Sequence, residues 1–371
     1  MSGGAPSRAL LLEDGRLRVG EAGAGDGAQV VEMLRAGICG TDVQIARGVR
    51  GDRARILGHE GAGRLAASPG VPGRTVVPNP VNVHDQDSIL GHSYDGIFRD
   101  RAALAPVAEG VPALVEAAPG LPLDLAPLVE PLATTLYART LLGEAAHGSI
   151  GIWGGGATGM LHALLATREG TPAHVVHHGE RDDDWVGAGL PVASATPASS
   201  FSARRVRAAN GGRPLSAAVL CVPRWGAETA LTQALSVLEP GGVIDLFGGF
   251  GAGDRHPDLP DVDLQAVRRS NVCGSVSEPL SAVTRDGKPV RLTGHRGTSD
   301  AQLLEAQALI LSDPAAFAAV VTHVVSLDTA ARWLSARVRG RWPEPRVGKV
   351  VIDFGFEDER ARRPDLGVTV A

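Results

Sequence analysis

The 371-residue sequence predicts an α/β protein of two domains, one built on a doubly wound parallel sheet and one strand-rich and barrel-like. Two patterns and the length carry this. The middle of the chain alternates short apolar runs, "GSIGIWG", "AHVVHH", "LSAAVLCVP" and "GGVIDLFGG", with helix-compatible or loop sequence, as a parallel sheet with helices on both faces requires. Up to about Leu125 the runs are different: "RALLLE", "GAQVVEML" and "GRTVVP" are cut short by Gly, Pro and Asp, which reads as many strands joined by many turns. A chain of this length can also bury two separate cores. After the alternating zone, "SDAQLLEAQALILSD" and "DTAARWLSARV" have amphipathic helical spacing with Ser or Asp near their starts. The apolar run "GKVVIDF" follows, so the chain is expected to return to its first domain. The interval 251–289 is long and turn-rich and reads as an insertion.

Composition narrows the function classes. The chain carries 36 Lys and Arg against 41 Asp and Glu, a formal net charge of -5, and its lysines are Lys288 and Lys349, with no basic patch. Nucleic acid and anionic membrane are poor partners for such a surface. The N-terminus has no charged segment leading into an apolar one, and every long apolar stretch is broken by Pro, Gly or charge, so a cytoplasmic protein is expected. Cys39, Cys221 and Cys273 are an odd number and far apart, which argues against a disulfide framework and fits a reducing compartment.

The clearest cofactor signal is "GSIGIWGGGATGMLHALLA", which sets Gly154, Gly156 and Gly159 in G-x-G-x-x-G spacing, with Ala157 and Thr158 inside the motif, directly after a strand and at the start of a helix. The first glycine permits the tight turn, the second lets backbone N–H groups approach a pyrophosphate, and the third lets helix pack on strand. This is the fingerprint of a Rossmann dinucleotide-binding domain. A merely glycine-rich turn is the competing reading in a chain with 48 glycines. The second strand should end in an acid that accepts hydrogen bonds from the adenosine ribose, yet "AHVVHHGERDD" places His178 there, with Arg181 shortly after. His178 and Arg181 would suit a ribose phosphate and tip the balance slightly toward NADP. Glu180 could still reach the ribose, and a solvated loop is the alternative.

In "RAGICGTDVQIARGVRGDRARILGHEGAGRL" a lone Cys39 precedes His59 and Glu60 by about twenty residues. Thiolate, imidazole and carboxylate are all zinc ligands, and a mixed set without a paired-cysteine clamp suits a catalytic site with an open position more than a closed structural one.

Taken together, these residues resemble the medium-chain dehydrogenase/reductase family, the zinc-containing alcohol dehydrogenases, over nearly the whole chain and in the same order. The likeness runs through "GICGTD", "GHEGAG", "VEPLATT", "GGGATG", "LEPGGVIDLFG" and "GKVVIDF". It implies a GroES-like β-barrel catalytic domain over 1–131 and 295–371 and a Rossmann domain over 132–294. By the same resemblance Cys39 and His59 match the catalytic zinc ligands, and Glu60 matches a carboxylate that either ligates or exchanges with water. Glu130 matches the further ligand or near-ligand of the polyol-dehydrogenase branch. Thr41 would touch the substrate oxygen, Thr134 the nicotinamide ring, and Asp42 would steady the zinc site. Members commonly pair through the sixth strand of the cofactor domain, here "VRLTG", so a homodimer or homotetramer is expected.

Two departures limit the likeness. The lobe with four closely spaced cysteines is replaced by "VPNPVNVHDQDSILGHSYDGIFRD", so one catalytic zinc per chain and no structural zinc are expected. Gln44 stands where many members have a relay histidine, leaving His84 and His92 as candidates for a relay or substrate role. A short-chain mechanism needs Tyr-x-x-x-Lys, and Tyr94 and Tyr137 are followed four residues later by Phe98 and Leu141. By the same resemblance, "VEPLATT" and "VRLTGHRGTSDAQLLEA" look like the polyol, sugar-phosphate and cyclitol branch, which implies a polyhydroxylated alcohol or its ketone as substrate: a polyol, sugar or cyclitol. Arginine in place of lysine fits a high-GC bacterium and a role in secondary metabolism. A zinc-free NADPH reductase of activated double bonds, and a non-catalytic NAD(P)-binding sensor, are the alternatives.

Overall fold

The computed structural model describes residues 7–23, 29–65, 73–104, 114–178, 192–344 and 347–370. The chain divides into two compact units, Met1–Ala133 with Gly297–Ala371, and Thr134–Arg296.

The unit Thr134–Arg296 is built on a seven-stranded sheet in the order Ser194–Pro197, Ala173–His177, Ile150–Trp153, Leu215–Leu220, Leu238–Asp245, Pro289–Thr293, Leu280–Val283. The first six strands are parallel, and numbered along the chain they run 3-2-1-4-5-6, the doubly wound order of a dinucleotide-binding sheet. Every residue of Ile150–Trp153 and Ala173–His177 is buried, which is why these segments read as continuous rather than alternating apolar runs. Val206, Leu220, Leu231, Ile244 and Leu292 pack in one apolar cluster. The interval 251–289 is not a plain loop. It contributes the short helix Leu264–Arg268, capped by Asp263, and the antiparallel edge strand Leu280–Val283. The expected sixth strand is present as Pro289–Thr293.

The other unit centres on a mostly antiparallel sheet in the order Val321–Val325, Lys349–Asp353, Gln29–Ile38, Glu60–Leu65, Arg74–Pro78, Leu114–Glu116. The late helices Asp300–Ser312 and Leu327–Val338 form where the amphipathic spacing predicts them, each begun by a serine that accepts a backbone hydrogen bond from the first turn. The strand Lys349–Asp353 is wholly buried beside Gln29–Ile38. Its far end is fixed by a buried network: Arg35 donates to Asp124 at 2.6 Å and to Asp353 at 2.7 Å, and Arg362 reaches the same two carboxylates. Two guanidinium groups alternating with two carboxylates leave no charge of the network unpaired. Among the described residues no helix is long and apolar enough to cross a membrane.

Candidate metal centre and dinucleotide turn

Three neighbouring strand ends build the metal-ligand cluster. The strand Gln29–Ile38 ends immediately before Cys39, and its antiparallel neighbours begin at Glu60 on one side and Lys349 on the other, with Gly37 opposite Glu60 and Ile38 opposite Val350. Cys39, Glu60 and Lys349 therefore meet at one edge of the sheet although Glu60 and Lys349 are 289 residues apart. Gly37 makes room for them. A Cβ there would fall 2.7 Å from the Lys349 side chain and 2.9 Å from Glu60 Oε2.

Cys39 caps the helix Gly40–Ala46, its Sγ accepting from the Thr41 amide at 3.5 Å. Asp42, completely buried on that helix, accepts from the Cys39 amide at 2.8 Å and from the Gly58 amide at 3.2 Å, and lies 3.8 Å from His59 Nδ1. One carboxylate thus ties the two segments that carry the cysteine and the histidine. His59 Nε2 is 4.0 Å from Glu60 Oε1. One ligand atom from each of Cys39, His59 and Glu60 can be chosen so that all lie within 4.8 Å of one another.

The electrostatics match a cation. Cys39, Asp42, Glu60 and Glu130 crowd a site in which Lys349, ion-paired to Glu60, is the buried ammonium. Burial, and then the Glu60 charge, push the Cys39 thiol well up and raise the Glu130 carboxyl to about 7. Burial also raises Asp42. Burial works against the Lys349 ammonium, but the charges of Glu60, Cys39 and Asp42 outweigh it and hold its pKa above the ordinary value. A divalent ion would reverse this logic for the thiol, displacing its proton and holding it as thiolate. The donor set, a soft sulfur with an imidazole and a carboxylate, suits zinc.

The other residues singled out in the sequence are distributed unequally. Thr41 is half-buried on the helix that Cys39 caps. Glu130 sits in the first turn of the helix Val129–Leu142, and Thr134, half-buried, follows one turn later. His92 is buried with its ring edge-on to His59, centroids 4.7 Å apart, whereas His84 is exposed. His178 is exposed just beyond the strand Ala173–His177. Glu180 and Arg181 lie outside the described residues. Lys349 and Gly37 went unread in the sequence. The one available signal for Lys349 was the rarity of lysine in this chain.

The glycine motif follows the strand Ile150–Trp153 and opens the helix Ala157–Arg168, with Ala157 and Thr158 as its first two residues. Gly154 has φ +130, and a Cβ there would strike the Cys221 carbonyl at 2.4 Å. Gly159 packs closer still, since its Cβ would lie 1.8 Å from the Gly154 oxygen. Gly156, at the helix N-cap, faces open space, and no side chain caps the helix there. The first-turn N–H groups are thus left for an anionic ligand. Gly159→Ala is expected to force the turn apart and weaken dinucleotide binding by at least about tenfold, the scale of a roughly 1.4 kcal/mol loss. Fluorescence titration with NADH and NADPH checks this, and an unchanged affinity would mean that the turn does not hold the cofactor.

Solved structures show what this arrangement is similar to. An alcohol dehydrogenase from Escherichia coli CFT073, complexed with NADH, matches with a TM-score of 0.70 at 16% identity, over 95% of this chain and 100% of that one. A candidate zinc-binding dehydrogenase from Sinorhizobium meliloti 1021, bound to NADP, matches with a TM-score of 0.69 at 19% identity, over 94% and 100%. The fold is that of the medium-chain dehydrogenases. Galactitol-1-phosphate dehydrogenase from Escherichia coli shares this Rossmann and GroES-like architecture, with a TM-score of 0.70 at 15% identity, over 94% of this chain and 99% of that one. No protein-family model matches the sequence, and no curated protein matches it significantly. The medium-chain dehydrogenase fold is therefore carried here by a sequence far from those of its structural relatives.

Proposed function

We propose that this chain is a zinc-dependent oxidoreductase of the medium-chain dehydrogenase/reductase family, transferring hydride between a secondary alcohol and NAD or NADP. The observation that carries the reading is the meeting of Cys39, His59 and Glu60 within 4.8 Å at one sheet edge, in a chain with the medium-chain dehydrogenase fold. The unit Met1–Ala133 with Gly297–Ala371 would be the catalytic domain and Thr134–Arg296 the cofactor domain, close to the division 1–131 and 295–371 against 132–294.

In this reading Cys39 and His59 hold one zinc ion, with Glu60 or Glu130 as further carboxylate ligand. When bound, zinc supplies Lewis acidity that lowers the pKa of an alcohol or polarises a ketone. Asp42 orients Cys39 and His59, Lys349 holds Glu60 between two roles, and Thr41 hydrogen-bonds the substrate oxygen and holds its proton. Gln44 cannot relay that proton, and in this reading His92, buried edge-on to His59, would receive it. The turn Gly154–Gly159 takes the pyrophosphate, Thr134 lies along the nicotinamide, and His178 with Arg181 favours NADP.

A polyol, sugar or cyclitol substrate is supported by Glu130 and by the company the fold keeps, which includes proteins named as galactitol-1-phosphate dehydrogenase, L-idonate 5-dehydrogenase and butanediol dehydrogenase. A homodimer or homotetramer in the cytoplasm completes the reading. The test is a screen of polyols, sugars, cyclitols and simple secondary alcohols with NAD and NADP, followed by the absorbance of the reduced nicotinamide. Chelator-sensitive oxidation of a polyhydroxylated substrate is the expected result. Chelator-resistant reduction of activated double bonds, or cofactor binding with no turnover, would overturn it.

A further inference from the structure

A second group of buried polar side chains lies in the unit Thr134–Arg296, and the chemistry above makes no use of it. Asp245 ends the strand Leu238–Asp245 with no exposed surface, and neither of its carboxylate oxygens has a hydrogen-bond partner among the described residues. His295 Nδ1, also without a partner there, is 3.7 Å away. An unpartnered buried carboxyl costs stability, and such groups persist chiefly where they do something.

Its place in the sheet says what that could be. Ile152 is level with Val219, Val219 with Asp245, and Asp245 with Thr293, so Asp245 lies two strands, about 10 Å, from the strand that feeds the glycine turn. Cys221 bridges the gap: its carbonyl packs against Gly154, and its thiol is raised by burial and then by the Asp245 charge. In open parallel sheets the dinucleotide lies beyond the carboxyl ends of these strands. An oxidised nicotinamide ring is a cation, and the reduced ring is neutral.

We propose that Asp245, with His295 beside it, is a proton-exchanging site that reads the charge of the nicotinamide ring, so that oxidised cofactor binds with release of a proton and reduced cofactor binds without it. This rests on the reading of Thr134–Arg296 as the cofactor domain. The exchange balances simply, since the Asp245 carboxyl O–H breaks, its electron pair stays on the carboxylate, and the proton passes to solvent.

The surroundings fit. Burial raises the Asp245 carboxyl to about 8, against the opposing charge of Arg268 from the helix Leu264–Arg268. Burial, then Arg268, brings His295 down to about 3, so the imidazole is neutral and offers no competing cation. Tyr137 packs its ring 4.6 Å from that of His295, and Phe247 stands between His295 and His162, whose burial, with Arg139 and His295 near it, keeps it neutral too. Arg268 is thus the charged group with a resolved influence on Asp245 before the cofactor arrives. Asp245 and His295 belong to no metal-holding group of three among the described residues, which sets a metal site aside. The sign follows. Below about 8 the carboxyl is protonated, a nearby ring cation favours its ionised form, and the affinity for oxidised cofactor rises with pH, by at most about tenfold per unit, until it levels above about 8.

The experiment is isothermal calorimetry of the full chain with NAD, NADP, NADH and NADPH, in two buffers of different ionisation enthalpy at neutral pH. The expected result is release of up to about one proton with the oxidised form and none with the reduced form, and loss of that difference in Asp245→Asn. Equal proton counts for oxidised and reduced cofactor, or a difference that survives in Asp245→Asn, would overturn the proposal while leaving cofactor binding intact. Failure of all four nucleotides to bind would instead overturn the cofactor reading and the proposal with it. If Asp245→Asn does not fold, zinc-stripped wild type carries the test: a difference between oxidised and reduced cofactor that disappears with the metal would assign the proton to zinc-bound water and overturn the proposal, whereas one that survives supports it.

Discussion

Cys39→Ala is expected to abolish metal binding and to lower turnover by about a thousandfold or more, while NADH and NADPH still bind within about threefold of wild type. The magnitude follows from the several kilocalories of charge stabilisation that a metal contributes at a reacting oxygen. The two readouts separate because Cys39 and the glycine turn belong to different units, each with its own apolar cluster. A simple folding defect is guarded against by Cys39→Ser, which keeps the helix cap but replaces the soft sulfur with an oxygen that binds zinc poorly. Both variants should lose metal. If Cys39→Ala kept its metal and its turnover, the site assignment would be wrong.

Lys349→Met should have the second large effect, on stability. The ammonium and its Glu60 partner are each 2% exposed, and Glu130 lies near enough for its pKa to feel both. Removing the ammonium leaves buried acids facing one another, and breaking a buried pair in this way typically costs about 3–5 kcal/mol. The loss should be greatest in metal-free protein and partly restored by zinc, because a divalent ion supplies the missing positive charge. Urea unfolding of both proteins, with and without zinc, measures it. A loss below about 1 kcal/mol, the level of an exposed ion pair, would show that Lys349 does not stabilise the cluster.

The parallel strands were legible because a strand buried on both faces is mostly apolar, as "GSIGIWG" is and as "AHVVHH" is around Val175 and Val176, even though His174 and His177 are buried with them. The late helices were legible through their amphipathic spacing and through Ser299 and Asp328 near their starts, local signals that need no tertiary context, although the structure caps the second helix with Ser326, two residues earlier. Within the interval 251–289, the strand Leu280–Val283 was not, since three of its four residues are exposed at a sheet edge, the fourth is half-buried, and its pattern has no buried face to announce it. Cys39, His59 and Glu60 could be singled out by side-chain type. Lys349 could not, because its partnership with Glu60 depends on two antiparallel registers that close 289 residues of chain. Asp245 was hidden for a related reason: in "GGVIDLFGG" it reads as a polar break, and only the register shows it buried beside His295. Asp42 was assigned its supporting role by resemblance, and its two backbone hydrogen bonds and its approach to His59 give that role a physical basis.

The most direct test of the central claim is the metal content of tag-free protein purified without chelator, measured as zinc per chain by mass spectrometry. One open catalytic site predicts about one zinc per chain. Protein that binds NADH or NADPH yet carries no zinc, and takes up none when it is supplied, would contradict the account and leave Cys39, His59 and Glu60 without the role proposed for them.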